Sequence, residues 1–296
     1  QAPHDFFQHM YTPKGQTWKY AARLQTEVDV PILAVGQINE HRDIDRVREE
    51  SMADGIAIGR ALVADPDFVG KYLGAVEGRI RPCMACSEGC LGGVKSGAGL
   101  GCVINPEDAR EDELRFDRRD TPGTYAIVGG GPAGLASAQV LAERGHTVDL
   151  YEVERLGGQF RLAPLPPGKD SLQKGLEYYV GDLEDRDPVD IRFEDVSPAE
   201  LSAYDGVFVA TGSQPAEPPI EGLDTLDYHG PEIMLAENLP TNSRVMVIGG
   251  GYVGLETADA LAMADNEVIV VELLPEFGGD MLGLEKGPIM QRLGER

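Results

Sequence analysis

Tyr125-Ala126-Ile127-Val128-Gly129-Gly130-Gly131-Pro132-Ala133-Gly134-Leu135 returns as Val245-Met246-Val247-Ile248-Gly249-Gly250-Gly251-Tyr252-Val253-Gly254-Leu255, 120 residues further on. In each copy a short apolar run feeds G-x-G-x-x-G, and a helix-forming stretch follows. The echo goes further. Glu152, at the end of the next apolar run, has its counterpart in Glu272, and Gly157-Gly158 in Gly278-Gly279. Two copies of one nucleotide-binding unit explain this better than chance, and they set the fold class as α/β.

The chemistry of the pattern is phosphate binding. Gly129 permits the tight turn after strand 125–128, Gly131 lets the backbone approach a pyrophosphate, and Gly134 lets helix and strand pack closely. The helix beginning there, running to about Glu143, offers free N–H groups and a positive dipole end. Strand 147–151 then delivers Glu152, whose carboxylate accepts from a ribose 2′-hydroxyl. Gly249, Gly251, Gly254 and Glu272 repeat the set after strand 245–248. An acid at 272 suits a free 2′-hydroxyl and repels a 2′-phosphate, which favours NADH over NADPH. The competing reading of this second copy is a duplicated unit that has lost its ligand. Between the copies, Val207-Phe208-Val209-Ala210-Thr211-Gly212-Ser213 reads as a buried strand ending in a turn small enough to approach a nucleotide.

Upstream the grammar is strand–helix–strand–helix. Residues 31–35 and 55–59 read as buried parallel strands, with Asn39 capping a helix to about Glu50 and another helix from about Asp67 to Val76. Gly36-Gln37 and Gly59-Arg60 each follow a strand. On a barrel that is the C-terminal face, where the last loops often hold a phosphate; Arg60 would supply charge and Gly59 backbone N–H groups. His4, His9 and Tyr11 stand near the start. A histidine can shuttle protons, so they are candidates for a substrate pocket, against the plainer reading as loop or surface residues.

All four cysteines fall between, at Cys83, Cys86, Cys90 and Cys102, as C-x2-C-x3-C-x11-C. Such clustering argues for one shared ligand. Structural zinc and an iron–sulfur cluster fit the spacing equally. A disulfide pair does not suit a chain that otherwise reads as cytoplasmic. The neighbouring dinucleotide units tip the balance to the cluster, because redox cofactors keep company with electron relays.

The bulk properties narrow the rest. The 296 residues are 42% hydrophobic, enough for one to three cored domains. No apolar run reaches the ~18 residues of a membrane span, and Gln1-Ala2-Pro3-His4-Asp5 has neither the basic nor the apolar region of a signal peptide. Fifty acids against 26 bases give net charge −24, spread along the whole chain. That repels nucleic acid and anionic lipid, so neither is expected as a partner. It also suits a high-salt cytoplasm, where ions screen the self-repulsion.

Taken in order, Val35-Gly36-Gln37-Ile38, Gly59-Arg60-Ala61-Leu62-Val63-Ala64-Asp65-Pro66, the four cysteines, the first glycine loop, Gly157-Gly158-Gln159-Phe160, Ala210-Thr211-Gly212 and the second glycine loop resemble the NADH:flavin oxidoreductase group with an old-yellow-enzyme-like barrel. Its members include 2,4-dienoyl-CoA reductase and trimethylamine dehydrogenase. The resemblance spans essentially the whole chain and implies a C-terminal piece, cut short at both ends. By residue range it implies the end of an FMN-binding TIM barrel (1–78), an iron–sulfur segment and linker (79–120), an FAD- or ADP-binding domain (121–242) and the start of an NAD(P)-binding domain (243–296). It further implies that Gly36, Gln37, Gly59 and Arg60 hold the FMN phosphate. The four cysteines bind a 4Fe-4S cluster; Gly129, Gly131, Gly134, Glu152 and Gln159 hold FAD, or only ADP; Gly251 and Glu272 meet the nicotinamide nucleotide. The cysteine spacing and Gly158-Gln159-Phe160 look like the dienoyl-CoA reductase side. Pro3-His4-Asp5-Phe6 looks more like the amine side, though His4 and Asp5 replace the Ser and Arg found there. Most residues that protonate or orient substrate are expected upstream of Gln1.

Three activities are therefore in view. The first is NADH-driven reduction of an enoyl thioester or similar activated alkene, a small-molecule substrate. The second is amine dehydrogenation with an electron-transfer flavoprotein as partner. The third is a non-catalytic piece that binds nucleotide and zinc.

Overall fold

The structure is a computed structural model, and it describes residues 7–114, 116–235 and 239–295. His4 lies outside them. The chain forms two compact units, Gln1–Arg115 and Phe116–Arg296, and each is mixed α/β.

The first unit carries helix α1 (Gln16–Gln25), strand β1 (Leu33–Val35), α2 (His41–Glu49), β2 (Gly55–Ala57), and two short helices, α3 (Arg60–Ala64) and α4 (Phe68–Tyr72). The strands pair in parallel, Leu33 opposite Gly55 and Val35 opposite Ala57. Parallel neighbours need a crossover, and α2 supplies it. Its apolar residues Ile44 and Val47 pack with Trp18, Ala34, Ile38, Ala61 and Phe68 into one core. The cap of α2 is Glu40 rather than Asn39: Glu40 and Asp43 form a reciprocal capping box. The helix expected over 67–76 ends at Tyr72, because Gly74 takes φ 70°. The strands are shorter and barer than a buried reading implies. Leu33 is 60% exposed, since each strand has a neighbour on one side only. Beyond them come a π-helical turn (Glu88–Gly92) and the short α5 (Gly93–Ser96).

The second unit holds both glycine loops. Strand β3 (Thr124–Val128), α6 (Pro132–Glu143), β4 (Thr147–Tyr151), α7 (Gln173–Glu184), β5 (Val189–Arg192), the short α8 (Pro198–Leu201) and β6 (Gly206–Val209) make the first half. Its sheet runs β5-β4-β3-β6 with every pair parallel. Strand β7 (Arg244–Ile248), α9 (Tyr252–Met263), β8 (Glu267–Val271) and α10 (Gly283–Gly294) make the second, in which β7 and β8 pair in parallel. Small residues let α6 lie close on β3, with Leu135 and Ala138 fully buried. Strand β6, read as buried, lies at the sheet edge, with Val209 76% exposed. A buried ion pair and a hydrogen bond join the two halves. Lys169 meets Glu256 of α9, and Arg292 grips Asp259 while donating to the Pro167 carbonyl.

Candidate functional site

In the first unit the loops after β1 and β2 meet around a cavity of about 180 Å³, lined among others by Gly36, Gln37, Gly59, Arg60, Asn39 and Cys83. Gly36 takes φ 106°, and a Cβ there would fall 2.5 Å from Gln8 Oε1. Its carbonyl accepts from Trp18 Nε1 at 2.7 Å. Gln37 points back into the structure, donating to the carbonyls of His9 (2.7 Å) and Thr12 (3.2 Å). The Arg60 guanidinium reaches Ser87 Oγ at 3.0 Å and the Gln8 carbonyl. Two buried side-chain oxygens on this cavity, Gln8 Oε1 and Asn39 Oδ1, have no hydrogen-bond partner among the described residues. Buried acceptors left so are costly, and a donor-bearing ligand would relieve them.

Besides the Arg60–Ser87 contact, further hydrogen bonds tie the cysteine loop to this same unit. Asn39 Nδ2 donates to the Cys83 carbonyl at 2.6 Å, His9 Nε2 lies 2.7 Å from the Cys86 carbonyl, and Met10 N donates to the Ala85 carbonyl at 3.0 Å. His9 is thus 1% exposed, not a surface residue, and it stacks on Tyr11. Ala85 and Ser87, on either side of Cys86, both take left-handed backbone (φ 55° and 63°). Such residues are strained by about 1–3 kcal/mol each and persist only where the surroundings hold them. None of the four cysteines is in a disulfide. Burial pushes the Cys83 and Cys102 thiols up, and the Cys86 thiol up to about 12, with Cys83 and Cys90 adding to the rise at Cys86. At Cys83 the Arg60 charge works the other way. Among the described residues, no three Cys, His, Asp or Glu side chains stand close enough to hold a single metal ion.

The second unit repeats one geometry twice. Gly129 N donates to Tyr151 O and Gly249 N to Val271 O, each at 2.8 Å; Gly157 N donates to Gly130 O and Gly278 N to Gly250 O, each at 2.7 Å. A Cβ on Gly134 or on Gly254 would sit 1.9 Å from the carbonyl oxygen of Gly129 or Gly249, so neither glycine can be replaced without a backbone shift. Gly131 meets nothing within 4 Å. Space for an incoming phosphate is therefore open where the first helix begins. Gln159 Nε2 donates to Ser213 O at 2.6 Å, which brings the 211–213 turn to the first loop.

The two acids were expected to face a ribose. Each also holds its own loop. Glu152 accepts from Gly130 N at 2.8 Å and from Val153 N at 2.8 Å. Glu272 accepts from Gly250 N at 2.6 Å and from Leu274 N at 2.7 Å. A carboxylate has about four lone-pair sites, so acceptor capacity for a hydroxyl remains. The Leu274 and Gly250 N–H groups hold the Glu272 carboxyl below the usual carboxylate range, which keeps it charged. Sequence reading missed Gln8, Asn39 as a link to Cys83, and Asp280, whose carboxylate accepts from Tyr252 N at 3.1 Å. Asn39 opens a polar run and in sequence reads as a helix cap.

Comparison with known proteins agrees with this division. Residues 123–294 match the model of the pyridine nucleotide-disulphide oxidoreductase family. Residues 8–91 match that of dihydrouridine synthase. The bilirubin reductase of Mediterraneibacter gnavus is 37% identical over 265 residues, covering 88% of this chain and 41% of the relative. The NADH oxidase of Thermoanaerobacter brockii is 34% identical over 289 residues, covering 94% and 44%. A solved 2-naphthoyl-CoA reductase complex superposes with TM-score 0.88 over 97% of this chain and 44% of the other, at 22% identity, a likeness of fold. The chain thus spans less than half the length of these relatives.

Proposed function

Since the chain belongs to the pyridine nucleotide-disulphide oxidoreductase family, within the NADH:flavin oxidoreductase group, we propose that its protein is an NADH-dependent iron–sulfur flavoprotein reductase. The observation that carries this is the doubled glycine loop. Both copies keep the turn, the close helix approach and the loop-holding acid, so the second is built for a nucleotide as fully as the first. Two such loops suit a resident FAD and a nicotinamide nucleotide. They favour electron entry from NADH over amine oxidation with an electron-transfer flavoprotein as outlet.

The remaining residues fit two further cofactors. Gly36, Gln37, Gly59 and Arg60 share one cavity with two unpartnered buried acceptors, which supports an FMN there. Cys83, Cys86, Cys90 and Cys102 are free thiols, and at Cys83, Cys86 and Cys102 burial disfavours loss of the proton unless a cation replaces it. They lie near enough to feel one another's charge, and the company of two dinucleotide loops in the same chain favours a 4Fe-4S cluster, an electron relay, over structural zinc. When bound, flavins supply hydride transfer and the cluster single-electron transfer. The chain's own part is to hold phosphates at Arg60 and at the α6 and α9 N-termini, and to fix the thiolates.

The substrate class proposed is an activated alkene, such as an enoyl thioester. It follows from the reductases among the relatives, one of which acts by name on bilirubin, a conjugated molecule. In the overall reaction NADH and one proton add two electrons and two hydrogens across the double bond, leaving NAD⁺. The test is anaerobic oxidation of NADH by the full-length holoenzyme with an enoyl thioester, followed at 340 nm with product analysis. Saturated thioester in step with NADH loss is expected. NADH loss to oxygen alone would point to an oxidase, and alkene-independent oxidation of an amine would overturn the reading.

A further inference from the structure

Among the differences between the two nucleotide loops, one places a charge at the helix N-terminus. Aligned on Gly157-Gly158 and Gly278-Gly279, Gln159 of the first copy corresponds to Asp280 of the second. Gln159 is neutral and its amide donates to Ser213 O. The space in front of Gly131 is open. Asp280 instead turns onto the second loop. Its Oδ2 accepts from the backbone N–H of Tyr252, the first residue of α9, at 3.1 Å. The same oxygen lies 3.2 Å from where a Cβ on Gly251 would be. Gly251 is the glycine over which a pyrophosphate passes in this motif. The anion position at the α9 N-terminus is therefore filled by a carboxylate of the chain itself.

We propose that Asp280 sets the affinity of the nicotinamide site: its carboxylate stands where the pyrophosphate must come, and the nucleotide has to displace it. The proposal rests on the reading of the second copy as a nicotinamide nucleotide site. A helix N-terminus attracts one anion through its unpaired N–H groups and dipole. Asp280 and a pyrophosphate compete for the same donor and repel each other. Each binding event thus gives up the Asp280–Tyr252 hydrogen bond and its helix-end interaction, and each release restores them. The first copy has no such competitor. The asymmetry matches the work of the two sites, because a flavin stays through every turnover while a nicotinamide nucleotide must arrive and leave. One glycine-loop design thereby yields a retaining site and a releasing one, distinguished by Asp280 and the Tyr252 N–H it takes, where the first copy has Gln159 and Pro132, a residue with no N–H to offer.

The experiment measures binding of NADH, and separately of adenosine, to the flavin-loaded full-length protein as wild type, D280N and D280A. Asn keeps the shape of the side chain without its charge, so D280N remains informative if D280A loses flavin or unfolds. The NADH Kd is expected to fall roughly three- to tenfold in D280N, with D280A in the same direction, from the loss of one helix-end anion. Adenosine carries no phosphate, and its Kd is expected to stay within twofold of wild type. An NADH Kd in D280N equal to or weaker than wild type overturns the proposal. So does adenosine tightening in step with NADH, since the effect would then lie outside the phosphate position. If neither wild type nor D280N binds NADH at all while adenosine still binds, the nicotinamide reading of the second copy falls, and the proposal with it. That pattern is distinct from unchanged affinity.

Discussion

Glu272 holds its own loop and, on the function proposed above, also reads the ribose, and the two roles can be separated. Charge opposite a 2′-phosphate disfavours NADPH, and no basic residue follows at Leu273 or Leu274. The wild-type ratio of kcat/KM for NADH over NADPH is expected to be roughly tenfold or more. E272Q keeps an acceptor for one loop N–H but loses the charge, so the ratio should drop towards one while NADH turnover survives. A ratio unchanged in E272Q would mean that the side chain serves the loop alone. Because the Leu274 and Gly250 N–H groups favour the charged form, the preference should persist as pH falls into the ordinary carboxylate range. It should fade only below that range, when the carboxylate takes up its proton. The glycines give a second residue-scale contrast. G134A forces a Cβ to 1.9 Å from a backbone oxygen and should destabilise the protein by about 1–3 kcal/mol, as overpacking does. G131A meets nothing. It should unfold at the wild-type temperature once both are stripped of flavin, yet bind FAD more weakly because its methyl stands in the pyrophosphate's path. Equal melting of G131A and G134A apoproteins would refute the assignment of the two glycines.

At the scale of elements, the cysteine loop depends on the barrel-end loops that hold it. Neither strain at Ala85 and Ser87 nor thiol burial favours the loop by itself; the ties from Asn39, His9 and Met10 do. N39A removes the donor to the Cys83 carbonyl, at an expected cost of about 1–3 kcal/mol for a buried acceptor left unmade. The measurable outcome is faster loss of iron to a chelator, with the four cysteines intact and initial iron content near wild type. Iron loss at the wild-type rate would show that the loop holds its shape without Asn39. Full-length protein purified anaerobically should carry about four irons and four sulfides per chain. A single zinc without sulfide would remove the cluster from the reading.

For the whole molecule the governing quantity is a net charge of −24. Self-repulsion of this size destabilises the compact state, and salt relieves it over a Debye length that shrinks from about 10 Å at 0.1 M to about 3 Å at 1 M. The melting temperature is expected to rise by roughly 5 °C or more between 0.1 M and 2 M KCl. A flat or falling curve would sink the high-salt reading of the acidic surface. Buried contacts are screened far less, so the links that join the halves of the second unit, Lys169–Glu256 and Arg292 to the Pro167 carbonyl, should hold across that range. Among the described residues no helix is long and apolar enough to cross a membrane.

Much of this was legible from the chain alone because it is local. A G-x-G-x-x-G turn, the strand before it and the helix after it are fixed by neighbours in sequence, so β3, α6, β4 and the second copy fall where the pattern puts them. An offset repeat ties the two acids to their loops for the same reason. Clustered cysteines likewise need no fold to be noticed. What only the tertiary structure decided depends on residues far apart. Asn39 finds Cys83, His9 finds Cys86, and Arg60 finds Ser87 across 27 to 77 positions. Strands read as buried proved bare at Leu33 and Val209, because burial depends on which elements flank a strand, and periodicity does not count neighbours. Asp280 is one more acid in an acidic chain until the fold of β8 and the turn after it lays its carboxylate against the first N–H of α9. Composition and spacing determined which chemistry the chain can hold. Folding decided which side chains compete for it, since competition requires two groups to reach one point in space.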